Sequence, residues 1–246
     1  MNDPLAGDMA TGRSEGRALA SADLHMHTTL SDGACTPAEV ARILAASGLA
    51  VAAVTDHDTV EGALRVREAL CGRGPEIVIG SEVSTADGHV LALFVEHGLP
   101  AGRSARETVD LIHDRGGLAI AVHPYFPKHS VGKLAGTLPF DAVETLNGTP
   151  LGEVANVLAR RRLARGARAV VGGSDAHTAL MIGHVRTAFP GWTAADLRVA
   201  IEHGETRPEL DWGRHILSAP EFLLRMAWRE LPVGRTMRRA LSGGTP

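Results

Sequence analysis

Four short clusters of histidine and aspartate, each placed where an apolar, β-prone run gives way to a loop, constrain this chain more than anything else in it. They are Asp23-Leu24-His25-Met26-His27, Thr55-Asp56-His57-Asp58, His123-Pro124 and Ser174-Asp175-Ala176-His177. Imidazoles and carboxylates gathered at the same ends of several strands can close around metal ions, and parallel β/α folds carry their chemistry at those ends. Apolar runs alternate with stretches of helical period. Candidate strands are 22–27, 51–55, 77–83, 89–95, 118–123, 142–146 and 169–173, an α/β pattern that fits a barrel or a doubly wound sheet. Thr36-Pro37-Ala38-Glu39 predicts a helix start, with an N-cap, a proline in the first turn and an acidic residue just inside, and Gly48 predicts its stop. Further helices are expected over 153–165, with Val154, Val157, Leu158 and Leu163 inward, and over 193–203, with Leu197, Val199 and Ile201 inward.

Composition limits the remaining choices. A chain of 246 residues, 44% of them hydrophobic, can bury one sizeable core. The expected organisation is a flexible tail over 1–20, a barrel over 21–210 and a helical extension over 211–246. A net charge of −3, from 25 basic and 28 acidic residues, provides no global basic field for bulk nucleic acid or an anionic membrane. No stretch reaches the roughly 18 to 20 apolar residues of a membrane span, and 1–20 lacks the apolar centre of a signal peptide. Cys35 and Cys71 fit neither a disulfide framework nor a zinc knuckle, which predicts free thiols in a reducing, cytoplasmic setting.

Residues two apart in a strand share a face, so His25 and His27 can grip one ion. Taken alone, the pair reads equally well as two buried, hydrogen-bonded histidines. Asp32-Gly33 in the following loop can swing a carboxylate back to the same opening. Thr55-Asp56-His57-Asp58 repeats the design one strand on, and Asp175 and His177 repeat the two-residue spacing after a glycine pair. Glu82 ends one run and His89 begins the next, a hairpin-like arrangement that can put both over the barrel mouth.

These motifs together resemble the polymerase and histidinol phosphatase family, the PHP domain, over about 22–189. The family's opening pattern is matched by Asp23-Leu24-His25-Met26-His27-Thr28 and Ser31-Asp32-Gly33, and its second motif by Thr55-Asp56-His57-Asp58-Thr59. Later motifs are matched by Gly80-Ser81-Glu82 with His89, by His123-Pro124 and by Ser174-Asp175-Ala176-His177. The resemblance implies a distorted, TIM-like (β/α)7 barrel and a trinuclear metal centre. His25, His27, Glu82 and Asp175 would hold one ion. Glu82 would bridge to a second ion with His89 and His123, and Asp32, His57 and His177 would hold a third. Six imidazoles and three carboxylates suit manganese, iron or zinc. The activity implied is hydrolysis of a phosphomonoester or phosphodiester of a nucleotide, short oligonucleotide or small metabolite by a metal-bound hydroxide. Members of the family that act on RNA ends or nucleoside bisphosphates carry a helical insertion before the His-Pro motif, whereas 96–118 here has room for one helix.

Around this core of ligands, Asp56 and Asp58 are expected to orient imidazoles, and Glu144 and Asn147 to support the site. Arg186 is the candidate for binding substrate phosphate, because a guanidinium offers bidentate contacts; a structural ion pair at the barrel rim is the competing reading. Lys128, His129 and Lys133 are weaker candidates. His97, His113, His203 and His215 read as ordinary polar residues, and His184 stays open. The apolar helix expected over 219–231, with Phe222, Leu223, Met226 and Trp228 ahead of Arg235, Arg238 and Arg239, reads best as packing on the barrel or on a second subunit. Two other functions compete. One is an amidohydrolase-type hydrolase, which would need a bridging lysine, and the other a non-catalytic metal-binding module.

Overall fold

Local sequence signals set most element boundaries. The computed structural model describes residues 18–230. Along it run β1 (Leu19–Asp23), α1 (Pro37–Ala45), β2 (Val51–Val54), α2 (Glu61–Leu70), β3 (Glu76–Thr85), β4 (Gly88–Leu93), α3 (Ala105–Asp114) and β5 (Leu118–Ala121). They are followed by β6 (Ala142–Asn147), α4 (Glu153–Arg162), β7 (Val170–Gly173), β8 (Val185–Pro190), α5 (Ala194–His203), β9 (Arg207–Leu210) and α6 (Trp212–Glu230). The predicted start at Thr36 is a full capping box, in which Thr36 and Glu39 satisfy each other's backbone N–H groups, and Ser104 with Glu107 and Thr193 with Asp196 repeat it. As expected, one helix, α3, lies between β4 and β5.

The sheet follows the order β7-β6-β5-β4-β3-β2-β1-β8-β9. β1, β2 and β3 are parallel, as are β5, β6 and β7, while β4 is antiparallel to both its neighbours. All seven expected strands are therefore present as a barrel-like α/β sheet with one strand reversed. Both faces are buried, so the strands read as continuous apolar runs. In β2, Val51 and Ala53 join Leu24, Leu91, Leu93, Ile120 and Val171 in one apolar cluster, whereas Ala52 and Val54 join Val40, Leu44 and Val66 in a second one shared with the helices. α5 closes the end opposite the histidine motifs. Its Leu197, Ala200 and Ile201 enter the first cluster with Phe189, and its Ala194 N–H donates to Glu76 at the start of β3 (2.7 Å).

Closure has two parts. Lower in the barrel β8 is wedged beside β1, with Ala22 opposite Thr187. The Thr187 hydroxyl reaches β7, accepting from the Gly172 N–H (2.9 Å) and donating to the Gly172 carbonyl (2.8 Å). Above that, the continuations of β1 and β7 pair directly: the His27 N–H donates to Ala176 O (2.9 Å) and the Ala176 N–H to His25 O (3.3 Å). Fully buried Asp23 latches this seam by accepting from the N–H groups of Ser174 (3.0 Å) and Gly183 (2.8 Å). Burial pushes its carboxyl pKa up, against the pull of those donors.

Several expectations are corrected. β8 and β9 were not anticipated. The first carries Arg186 in its middle, and the second, Arg207-Pro208-Glu209-Leu210, has no buried face to give it a pattern. β1 starts at Leu19, inside the predicted tail, whose residues 1–17 lie outside the described chain. α1 ends at Ala45, with Gly48 in the turn beyond, and α4 ends at Arg162. The buried face of α4 is Ala155, Asn156 and Ala159, and Val154 is 73% exposed. Asn156 decides that rotation: its side chain accepts from the Asn147 N–H and donates to the Asn147 carbonyl (both 2.9 Å). Val199 on α5 likewise faces outward. Residues Arg235, Arg238 and Arg239 lie outside the described chain, as do the side chains of Met226 and Trp228.

Removing the Asp23 carboxylate strands the buried N–H donors of Ser174 and Gly183 and the longer one of His25 (3.4 Å), so Asp23→Ala is expected to cost ~3 kcal/mol. The check is thermal unfolding, where Tm should fall by about 6 to 12 °C for a chain of this size.

Candidate metal centre

Glu82 is the hub of the site. Its Oε2 lies 3.2 Å from His25 Nε2, 3.3 Å from His27 Nε2 and 3.5 Å from His57 Nδ1. Its Oε1 meets His89 Nδ1 at 2.8 Å and His123 Nε2 at 2.9 Å. Asp175 Oδ1 faces His27 Nε2 (3.2 Å), His177 Nδ1 (3.5 Å) and His25 Nε2 (3.6 Å). Asp32 closes the far side, with Oδ2 3.1 Å from His177 Nε2 and Oδ1 3.7 Å from His27 Nδ1 and 3.8 Å from His57 Nε2. The nine residues singled out by spacing and resemblance thus converge at one end of the barrel. Each arrives by its own route: His25 and His27 from the continuation of β1, His57 after β2, Glu82 and His89 from the β3–β4 hairpin, His123 after β5, and Asp175 and His177 after β7. His123 and Asp175 sit at φ of +30° and +49°, a backbone region uncommon outside glycine that clusters at functional sites.

Neighbouring groups fix the rings. Glu144 Oε1 meets His25 Nδ1 (3.2 Å), and its Oε2 accepts from the His123 N–H (2.8 Å) and Asn147 Nδ2 (2.9 Å). Asp175 Oδ2 accepts from the Thr149 hydroxyl (2.8 Å) and Asn147 Nδ2 (3.3 Å). His177 Nδ1 is held on the Asp175 carbonyl (2.8 Å), which turns Nε2 toward Asp32. Gly173 is obligatory here, because a Cβ would come within 2.5 Å of His25 Cβ. Asp56 and Asp58 act one step further out than expected. Asp56 accepts from the Thr28 N–H (2.7 Å) and hydroxyl (2.8 Å) and from Ser31 Oγ (2.6 Å), and Asp58 accepts from the Ser84 N–H (2.7 Å), so they hold loops rather than rings.

The donor set fits cations. His25 Nε2, His27 Nε2, His57 Nδ1 and His123 Nδ1 are buried without a hydrogen-bond partner, and three of them crowd one carboxylate oxygen. Such groups are costly to leave unsatisfied. Four sets of three ligand atoms lie within 4.8 Å of one another: His25, Glu82, His123; His25, His27, Asp175; His27, Asp32, His57; and His57, Glu82, His89. His57 falls both with Asp32 and His27 and with Glu82 and His89, and His123 falls with Glu82 and His25. In the metal-free protein, protons take the place of cations. Burial opposes charge on His27, but Asp175 and Glu82 outweigh it and carry its pKa up to about 10. His25 and His123 are raised by the same carboxylates, and despite burial Glu82, Asp32 and Asp175 are held low by the imidazoles.

A cavity of about 420 Å³ opens over the cluster. Its wall adds Phe126, Lys128, His129, Thr149, Pro150 and Leu151 to residues of the cluster, together with Phe222, Leu223 and Arg225 from α6. Arg186, on β8, is not part of this wall; its Nε donates to the carbonyl of Gly183 just before that strand (2.6 Å). Lys133 is exposed elsewhere, whereas Lys128 and His129 are on the rim, with His129 stacked on His89 (4.9 Å, 15°). His184 is fully buried and faces the carbonyls of Met181 and Gly148, a structural role. Arg225 was missed because nothing near it in sequence carries a motif.

Raised imidazole pKa values stabilise the chelated fold fully below about pH 6.5, and that contribution is lost as pH climbs toward the folded-state value. Thermal scans of chelated protein are therefore expected to show Tm falling between pH 7 and about 9.5. Scans of metal-loaded protein, with its imidazoles already neutral, should be flatter over the same range.

The sequence profile described as PHP domain matches residues 23–172, and one described as PHP-associated matches 153–206. An uncharacterized protein of Methanocaldococcus jannaschii is 34% identical over 154 residues, covering 58% of this chain and 90% of that protein. A 3′,5′-nucleoside bisphosphate phosphatase of Chromobacterium violaceum is 39% identical over 87 residues, 34% of this chain and 30% of that enzyme. A phosphoribosyl 1,2-cyclic phosphate 1,2-diphosphodiesterase of Eggerthella lenta is 41% identical over 85 residues, 32% of each chain. The chain thus aligns with under a third of the length of those two enzymes. In fold, it is similar to a two-domain Bacteroides vulgatus protein described as containing a predicted PHP-like metal-dependent phosphoesterase, with a TM-score of 0.63 at 19% identity over 78% of this chain and 65% of that one. With a profile match spanning more than half its length, the chain belongs to the PHP domain family.

Proposed function

We propose that the chain is a metal-dependent phosphoesterase that cleaves phosphomonoesters or phosphodiesters of small compounds, using three divalent cations drawn from manganese, iron and zinc. The observation that carries this reading is Glu82, a buried carboxylate in contact with five imidazoles on the floor of an open cavity. The similarity to a phosphatase and a diphosphodiesterase supports it. A cavity of about 420 Å³ lies in the range used for small ligands.

His25, His27, Glu82 and Asp175 are assigned to one cation, Glu82 with His89 and His123 to a second, and Asp32, His57 and His177 to a third. When bound, such cations polarise phosphoryl oxygens and bring the pKa of water toward neutrality. The protein's part is to aim donors. Donation from His25 Nδ1 to Glu144 leaves the Nε2 lone pair directed into the site, and the Asp175 carbonyl does the same for His177. Thr149 and Asn147 occupy Asp175 Oδ2, so that Oδ1 faces His25 and His27. Lys128 and His129 stand at the rim, where an incoming anion arrives. The amidohydrolase reading needs a lysine between cations, and here the group spanning the imidazoles is Glu82.

The test is hydrolysis of p-nitrophenyl phosphate and bis-p-nitrophenyl phosphate, set against a carboxamide and lactone panel, before and after chelation and with manganese or zinc restored. Phosphate ester turnover that requires the metal is expected, and turnover of amides alone sinks the reading. Asp175→Ala should abolish turnover with the far-ultraviolet circular dichroism near wild type. Glu144→Gln should lower activity or metal affinity by about 10- to 100-fold.

A further inference from the structure

We propose that Arg225 on α6 anchors the substrate anion and that Phe222 and Leu223 on the same helix contact its organic part, so that the preferred ester carries an apolar or aromatic group. This rests on the phosphoesterase reading and extends it to residues outside the motifs.

Charge on the cavity wall points this way. Its acidic members, Asp32, Glu82 and Asp175, all belong to the cluster, and its only lysine and arginine among the described residues are Lys128 and Arg225. Beyond the three carboxylates, the wall's lysine and arginine are both positive. Arg225 is held in place, since its Nη2 donates to the Asp32 carbonyl oxygen (2.9 Å), which sets its planar fork beside the cluster. A guanidinium matches phosphate geometry with paired N–H groups, whereas a lysine acts as a point charge.

The apolar wall supplies the second half of the argument. Phe222 is buried with its ring edge-on to His177 (6.3 Å, 75°), and Phe126 stands in the same relation to His123 (6.2 Å, 63°). Leu151 is 80% exposed at φ +74°, and Leu223 is 43% exposed. Two phenyl rings flanking a polar floor, with leucines left in water at the rim, fit an ester whose non-phosphate portion covers them. A phosphate on a small polyol would leave Leu151 and Leu223 in water. Sequence position explains why α6 holds these roles: Phe222 and Arg225 are three apart, so both project from one side of the helix.

The experiment uses the full chain loaded with manganese. Titration calorimetry with inorganic phosphate, metal analysis and steady-state kinetics on p-nitrophenyl phosphate and glycerol 3-phosphate are run on wild type, Arg225→Lys, Arg225→Ala and Phe222→Ala. Arg225→Ala is expected to weaken phosphate binding by about tenfold or more and to raise KM more than it lowers kcat, with metal content intact and Arg225→Lys in between. Phe222→Ala should shrink the preference for the aryl ester. Undiminished phosphate affinity in Arg225→Ala overturns the inference, as does weakening that only tracks lost metal or a lower Tm. Arg225-dependent phosphate binding in a protein that cleaves no ester would leave the anion site standing and remove the phosphoesterase reading beneath it.

Discussion

A carboxylate shut away from water among imidazoles is the interaction on which this molecule turns. An ionised acid in the interior is tolerable only when opposite charge surrounds it, and Glu82 is 1% exposed with five ring nitrogens within 3.5 Å. The same nitrogens cannot all donate to it, so the cluster must hold either protons or cations. Protons serve poorly, because charged rings then crowd one another, as with His25 and His27, whose ring centres are 5.2 Å apart. Cations relieve both problems, since neutral imidazoles and ionised carboxylates are then the favoured forms.

The barrel keeps that arrangement in place with apolar packing. Leu24, Leu91, Leu93, Ile120 and Phe189 fill one cluster, and α5 seals the end away from the histidines. Each such side chain contributes roughly 1.5–3 kcal/mol when buried, the reserve against which a costly polar pocket is held. The direct pairing between the continuations of β1 and β7 falls beside the histidine cluster, where His25, His27 and Ala176 share backbone hydrogen bonds. Closing the sheet and assembling the pocket are thus one event.

Much of this was legible in sequence because the signals were local. Alternating apolar runs gave the seven strands, and residue spacing, helped by family resemblance, gave the nine residues that converge at one end of the barrel. What escaped was settled by distant partners. β8 is defined by its hydrogen bonds to β1 and by Thr187 reaching Gly172, none of which is visible in Val185-Arg186-Thr187. The rotation of α4 hangs on Asn156 binding the Asn147 backbone, which turns Val154 and Val157 outward while Leu163 stays in the core as apolar periodicity suggested. Arg186 looked attractive because it follows the last motif, yet its Nε donates to the Gly183 carbonyl and it does not line the cavity. Arg225, some 40 positions later, reaches the cavity because α6 folds back over the mouth.

The reversal of β4 has a consequence for how this architecture can diversify. In a uniformly parallel barrel each strand offers only its C-terminal end to the mouth, but the turn between Thr85 and Gly88 lies on the same side as the ligands, with His89 just past it. Extra residues in that turn would leave the register beneath it alone, because Glu82 and Val83 are already fixed opposite Leu91 and Val90. Hairpin length is therefore free to vary at this end of the barrel while the histidine and carboxylate floor stays as it is.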